Sequence, residues 1–246
     1  MIYKKSKQML NKIRLNKRIF VDLYSLATRL EFSLRQQGIS FSKEGFPIIP
    51  KEMLIHEVPD DIEMFPLSKR HEANQPKCTI LCAYENDSNL YRFLRHLERN
   101  IEDCRHFYGV CGFDLSPRGG TDESHQRFNL LLNTLINAYM AYNGIRVLPN
   151  WRTGNLNTLG ILNIYPINSV FAVGSLGCAK SHVKENEIIL RTKLLISRPK
   201  LLIYYGSLRK YYQKILDEAG IPYRVIVDYR TRSYRASKIR KEANNV

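Results

Sequence analysis

Residues 201–229 read LLIYYGSLRKYYQKILDEAGIPYRVIVDY, and this stretch decides the fold class. LLIYYG (201–206) is a nearly continuous apolar run, as expected for a strand covered on both faces. The next residues carry a helix over 207–219, which Gly220 ends. YRVIVDY (223–229) is a second strand. A strand, a helix and a strand in so short a span imply parallel pairing through a right-handed crossover.

Working outward, the same alternation continues upstream. CTILCAYE (78–85), YGVCGFDLS (108–116), IRVLPNW (145–151) and SVFAVGS (169–175) read as four more strands. Between them lie helices. One is capped by Asp87 or Ser88, with Leu90, Phe93, Leu94 and Leu97 on one face. A long one reaches residue 143 on a stripe of Phe128, Leu131, Leu132, Leu135, Tyr139 and Tyr142. Another covers 184–197, and 155–167 has no assignable element. The fold class is α/β, a mostly parallel sheet with helices on both faces. Six strands fit a doubly wound open sheet, which is preferred, and also a partial β/α barrel, since a full one has eight.

Before this body, residues 18–37 form an amphipathic helix. Phe20, Leu23, Ala27, Leu30 and Leu34 share a face, and Gly38 follows. That face could dock on the body or capture a host or mobile-element protein. Residues 39–77 hold Pro47, Pro50, Pro59, Pro66 and Pro76 and a local excess of acid, which predicts an irregular connector. The expected organisation is a basic helical arm (1–38), a connector (39–77), an α/β domain (78–230) and a basic tail (231–246).

Charge narrows the function. The chain of 246 residues carries a formal +15, from 38 Lys+Arg against 23 Asp+Glu, and 44% of it is hydrophobic. A disordered or disulfide-stapled class is excluded. Residues 1–18 supply +7 without an acid, through Lys4, Lys5, Lys7, Lys12, Arg14, Lys17 and Arg18. Residues 224–246, with Arg232, Arg235 and Arg240 among them, supply +5, which leaves +3 for everything between. Cationic ends of this kind suit a polyanion such as nucleic acid, or serve solubility alone. The N-terminus has no secretory h-region, no apolar run of about 18 residues occurs, and the five cysteines form no C-x-x-C pair. A cytoplasmic protein with reduced thiols and no membrane contact is expected.

In either architecture ligands bind beyond the carboxyl ends of the strands. That rule selects Asp114, Ser116, Asn150, Trp151, Arg152, Ser175, Lys180, Tyr205 and Asp228. Asp114 is the candidate general base or Mg²⁺ ligand, and otherwise a loop cap or a partner for Arg118. Arg152 is a candidate clamp for phosphate, and otherwise an ion pair with Asp114 or Asp228. Asn150 either orients a substrate or closes the turn after Pro149. Trp151 either stacks on a base or sugar or fills the core. Gln126 and Asn129 either face the same cleft or hydrogen-bond at the helix end. GSLGCAKS (174–181) approaches a phosphate loop, but Ala179 stands where the second glycine belongs. That argues against a true nucleotide triphosphatase and leaves a simpler anion-binding turn using Lys180.

Seven blocks within 78–206 then carry a family resemblance. They are GFDLS (112–116), Gln126 with Asn129 and Asn133, AYMAYNGIRVLPN (138–150), RTG (152–154), P-x-N-S-V (166–170), G-x-x-G-C-x-K (174–180) and RPKLLIYYG (198–206). In their order and spacing the chain resembles the domain of unknown function 4417 family of phage, plasmid and conjugative-element proteins. The resemblance implies one α/β domain in a bacterial mobile-element setting, and no established activity. The chain departs from the family pattern at Asn155, where an acid is frequent, at Leu176, where a His is, and at Leu132 and Thr134, where arginines flank Asn133.

Together these features predict a cytosolic protein that binds or processes nucleic acid through its basic termini and a strand-end cleft around Asp114 and Arg152. If it is catalytic, Asp114, Arg152 and Lys180 carry a metal-assisted phosphodiester reaction, with Mg²⁺ the expected ion. Ser116, Gln126, Asn129, Asn150, Trp151, Ser175 and Tyr205 would bind substrate. A small-molecule enzyme or binder for a nucleotide or sugar derivative is the alternative for the same cleft, and a host-factor interaction protein is a further one.

Overall fold

Each apolar run forms a parallel strand, and the strands lie side by side in chain order. A computed structural model of the chain describes residues 22–117, 121–174 and 183–243. The strands are β1 (Glu63–Pro66), β2 (Thr79–Cys82), β3 (Gly109–Cys111), β4 (Val147–Leu148), β5 (Val170–Gly174), β6 (Leu201–Tyr205) and β7 (Tyr223–Ile226). β1 to β4 form one parallel sheet and β5 to β7 another. The two join where Trp151 N–H donates to Ala172 C=O at 2.8 Å and Ala172 N–H donates to Pro149 C=O at 2.8 Å.

A doubly wound sheet reverses its strand order at a switch point. Here the order never reverses, so right-handed crossovers put every connecting helix on one side. Side-chain alternation agrees. Met64, Ile80, Cys82, Cys111, Leu148, Val170, Ala172, Ile203 and Tyr205 pack together as an inner cluster. Their neighbours Leu81, Val110, Val147, Phe171, Leu202 and Tyr204 belong to the larger core that includes helix residues. The arrangement is therefore a partial β/α barrel of seven strands, and its inner faces meet one another rather than a second layer of helices.

Helices α1 (Leu23–Gln36), α2 (Asp87–Arg95), α3 (Leu97–Cys104), α4 (Glu123–Tyr142), α5 (Val183–Ser197), α6 (Lys210–Glu218) and α7 (Tyr229–Ala243) accompany the strands. Residues 155–167, left without an element by the sequence, hold the 3-10 segment Leu156–Ile164, which packs against α5. In α1 the Asp22 side chain caps the first turn by accepting from Tyr24 and Ser25 N–H. Its Leu26, Ala27, Leu30 and Leu34 are buried, it lies against α4, and Tyr24 stacks on Phe128 at 4.4 Å. Of the two roles open to this apolar face, docking on the body is the one it takes.

The connector expected over 39–77 is structural. It contains β1, and its prolines stand at element edges: Pro50 and Pro66 precede 3-10 turns and Pro76 begins one. Leu54 bridges Val147 in parallel, and Ile55 N–H donates to Val147 C=O at 2.8 Å. Ile55, Val58 and Ile62 join the inner cluster, so residues 55–62 plug the barrel at the amino ends of its strands.

Side chains bridge the remaining gap, between β7 and β1. Arg224 donates to the carbonyls of Val58 (3.0 Å) and Pro59 (2.7 Å) and pairs with Asp60. Arg232 donates to Met64 C=O at 2.6 Å, pairs with Glu63 and lies 4.5 Å over the Phe65 ring. Residues 231–243, expected as a basic tail, belong to α7, which carries Arg232 to this seam.

Candidate active-site rim

Beyond β3 the chain leaves the sheet ladder, and its backbone groups need other partners. Three asparagines on α4, four residues apart and therefore on one stripe, supply them. Asn137 accepts from Phe113 N–H at 2.7 Å. Asn133 accepts from Leu115 N–H at 2.9 Å and donates to Leu115 C=O at 3.0 Å. Asn129 donates to Ser116 C=O at 3.0 Å. This ladder holds residues 113–116 extended at the carboxyl end of the barrel.

Asp114 is only 7% exposed there. Its Oδ1 accepts from Asn150 Nδ2 at 3.0 Å, and Arg152 Nε lies 3.5 Å away. Tyr84 OH donates to Asn150 Oδ1 at 3.1 Å, and Cys111 Sγ lies 3.3 Å from the same hydroxyl. The Tyr84 ring stacks on Tyr205 at 5.7 Å. Gly174 gives the ring room, since a Cβ there would stand 2.6 Å from it. Tyr205 OH accepts from Tyr229 N–H at 2.9 Å.

Burial pushes the Asp114 carboxyl above its ordinary value, while Arg152, the Asn150 hydrogen bond and Lys193 pull the other way. Burial also pushes the Tyr84 hydroxyl and the Cys111 thiol well up, so both stay neutral. Among the described residues the rim brings together the Asp114 carboxyl, the Arg152 guanidinium beside it, and behind them a neutral tyrosine hydroxyl hydrogen-bonded to Asn150. A cavity of about 20 Å³ borders Arg152, Asn133, Asn137 and Tyr165, enough for one water. Tyr84, Tyr205 and Asn150 are all buried at this end of the barrel.

Asp114, Asn150 and Arg152 thus come together as expected, with Tyr205 beneath them. Others do not. Trp151 is 3% exposed, donates to Ser197 Oγ at 2.9 Å, and faces the outer core, where it is no stacking platform. Ser116 donates from N–H and hydroxyl to Asp87 Oδ1. Gln126 joins Thr121 C=O to Asn155 N–H. Asp228 caps α7 through Thr231. Arg232 is engaged at the seam, while Arg235 is exposed. Ser175, Lys180, Lys4, Lys5, Lys7, Lys12, Arg14 and the Arg240 side chain lie outside the described residues.

Sequence inspection missed Tyr84, Asn137 and Lys193. Asn137 was findable, since it continues the four-residue spacing of Asn129 and Asn133. Tyr84 lies two residues beyond β2. Lys193 carries no sequence signal; it donates to Trp151 C=O at 2.9 Å from mid-α5. Among the described residues no group of three or more His, Cys, Asp or Glu could hold a metal. Cys82, Cys104 and Cys111 are buried, and burial pushes the first two to about 12, far from thiolate reactivity. Among the described residues no helix is long and apolar enough to cross a membrane.

No curated protein and no solved structure matches the chain. One family model does, over residues 41–230, which spans β1 through β7 and so takes in the whole barrel. By that match the chain belongs to the family described as Domain of unknown function (DUF4417).

Proposed function

We propose that the protein binds nucleic acid within a bacterial mobile-element setting, using its cationic ends as the grip and the barrel as their scaffold. The observation that carries this is the outer face of α7. Arg230, Tyr234, Arg235 and Lys238 are all exposed, Tyr234 at 71%, and residues 230, 234 and 238 repeat every four positions along one side. Cations interleaved with an aromatic ring suit a phosphate backbone with a base stacked between them. Residues 1–18 add seven cations without an acid.

Fluorescence anisotropy of a labelled 20-mer between 50 and 200 mM salt tests this. Affinity should fall steeply with salt. The combined change Arg230→Ala, Arg235→Ala and Lys238→Ala should weaken binding at least tenfold and reduce the log–log slope by about 3, roughly one for each phosphate that is no longer neutralised. An unchanged slope sinks the proposal.

The Asp114–Arg152 pair favours a second function, a small-molecule enzyme or binder for a nucleotide or sugar derivative. There the acid would move a proton and the guanidinium would hold an anionic group. Asp114→Asn should then abolish turnover while Arg152→Ala raises KM. The host-factor alternative through α1 needs that helix to leave α4 first.

A further inference from the structure

A second concentration of charge lies at the opposite end of the barrel from the rim. A cavity of about 220 Å³ opens between the end of α3, the start of β3 and the turn that leads from α4 to β4. Lys77, Arg105 and Arg146 line it, with Phe107, Tyr108 and Gly144. Three cations from three separate parts of the chain therefore share one concavity, and no carboxylate lines it among the described residues.

Two helices end here, at Cys104 and Tyr142, and helix carboxyl ends draw cations. Arg105 answers that demand: its Nε donates to Asn143 C=O at 2.9 Å and Nη1 pairs with Glu102 at 2.8 Å. Lys77 and Arg146 are surplus. Both are exposed, and neither forms an ion pair within the described residues. Arg146 is nonetheless held in place. Its guanidinium lies 4.2 Å over the Tyr108 ring, and Tyr108 OH is tied to Glu57 C=O at 2.9 Å. A planar guanidinium fixed against a ring, with its edge free to face an incoming group, is arranged for bidentate binding of a phosphate or carboxylate. The volume is below the roughly 300 Å³ at which drug-sized ligand pockets begin. It suits a phosphate with part of a sugar.

We infer that this cavity binds a phosphate group, with Arg146 and Lys77 as the cations that touch it, Arg105 being engaged by Glu102 and Asn143. The site is independent of the α7 grip, because it needs only this cavity and its own cations. The phosphate could belong to a free nucleotide or to a nucleic-acid backbone, and the test separates these sources.

Isothermal titration of the full chain with inorganic phosphate and a nucleoside monophosphate, beside anisotropy with a 20-mer, reads both. The variants are Lys77→Ala with Arg146→Ala, and the α7 triple change as a control. Because Lys77 and Arg146 are exposed, the double variant should keep the wild-type unfolding midpoint. Monophosphate binding weakened at least tenfold in the double variant, and kept in the α7 variant, supports the site and names a free phosphate compound as its ligand. Weakening confined to the 20-mer supports it with backbone phosphate as the source. Equal binding of every probe by wild type and double variant, or no binding of any probe by the wild type at millimolar concentration, overturns it.

Discussion

At the carboxyl end of the barrel one carboxylate meets one guanidinium, nearly out of water, with Tyr84 and Asn150 sealing them from within. At the amino end the mouth is filled by apolar Ile55, Val58 and Ile62, and charge is displaced sideways into a cavity that Lys77 and Arg146 line without a carboxylate among the described residues. Among the described residues the Asp114–Arg152 pair is balanced and largely desolvated, so its chemistry lies in the environment of one group. The amino end is unbalanced and wet, so its chemistry lies in what it lacks. Changes at the two ends should therefore differ in kind. Rim substitutions should disturb stability, and cavity substitutions should disturb binding.

The harshest test of that contrast is Asn133→Leu. It strips both backbone partners from Leu115 in a buried setting. Each orphaned group costs about 1–3 kcal/mol, so the change should cost roughly 2–6 kcal/mol by urea unfolding. Arg146→Ala, fully on the exposed side of the cavity, should stay within about 0.5 kcal/mol. Comparable destabilisation by the two would erase the distinction.

Two glycines sharpen it next. A Cβ at Gly109, at the amino end, would lie 2.5 Å from Arg146 C=O, an oxygen that accepts from Val110 N–H in the ladder. A Cβ at Gly174, at the rim, would meet the Tyr84 ring at 2.6 Å. Overpacking of this kind costs about 1–3 kcal/mol. Gly109→Ala should sit at the upper end, because a paired carbonyl cannot step aside. Gly174→Ala should sit lower, since a ring can tilt. The reverse order in thermal unfolding would mean that the rim is the stiffer end.

The same contrast explains what was legible in the sequence. The strands of the barrel from β2 onward were readable, since each is an apolar run bounded by turn residues. So was the meeting of Asp114 with Asn150 and Arg152, because parallel strands bring their trailing residues to one rim. β1 was not readable. EMFP is four residues long, ends in proline and lies among acids, and only pairing with β2 makes it a strand. Sequential order was invisible as well, because a helix between parallel strands has the same composition in an open sheet and in a barrel. The cavity left no local trace, since Lys77, Arg105 and Arg146 are unrelated in spacing. Arg232 misled for the opposite reason: in a run of cations nothing marks the one that closes the seam. Its replacement by Ala should cost about 1–2 kcal/mol through removal of the charged hydrogen bond to Met64 C=O, while Arg235→Ala should cost almost nothing.

The smallest effect is the most informative about the rim. Burial raises the Asp114 carboxyl above the value it has in an unfolded chain, about 3.9, although Arg152 and Asn150 offset part of that. The folded protein therefore holds this proton more tightly than the unfolded one. Its contribution to stability is complete below about pH 3.9 and declines as pH rises through the interval up to the raised native value. Urea unfolding of the wild type and Asp114→Asn from pH 3.5 to 7 should show the wild type losing ground to the variant over that interval and holding level above it. Arg152→Ala should steepen the decline, because it removes the main charge favouring the ionised form. A wild type that gains on Asp114→Asn as pH rises would mean that Arg152 and Lys193 outweigh burial, and that Asp114 is an ion-pair anchor with no proton to trade near neutrality.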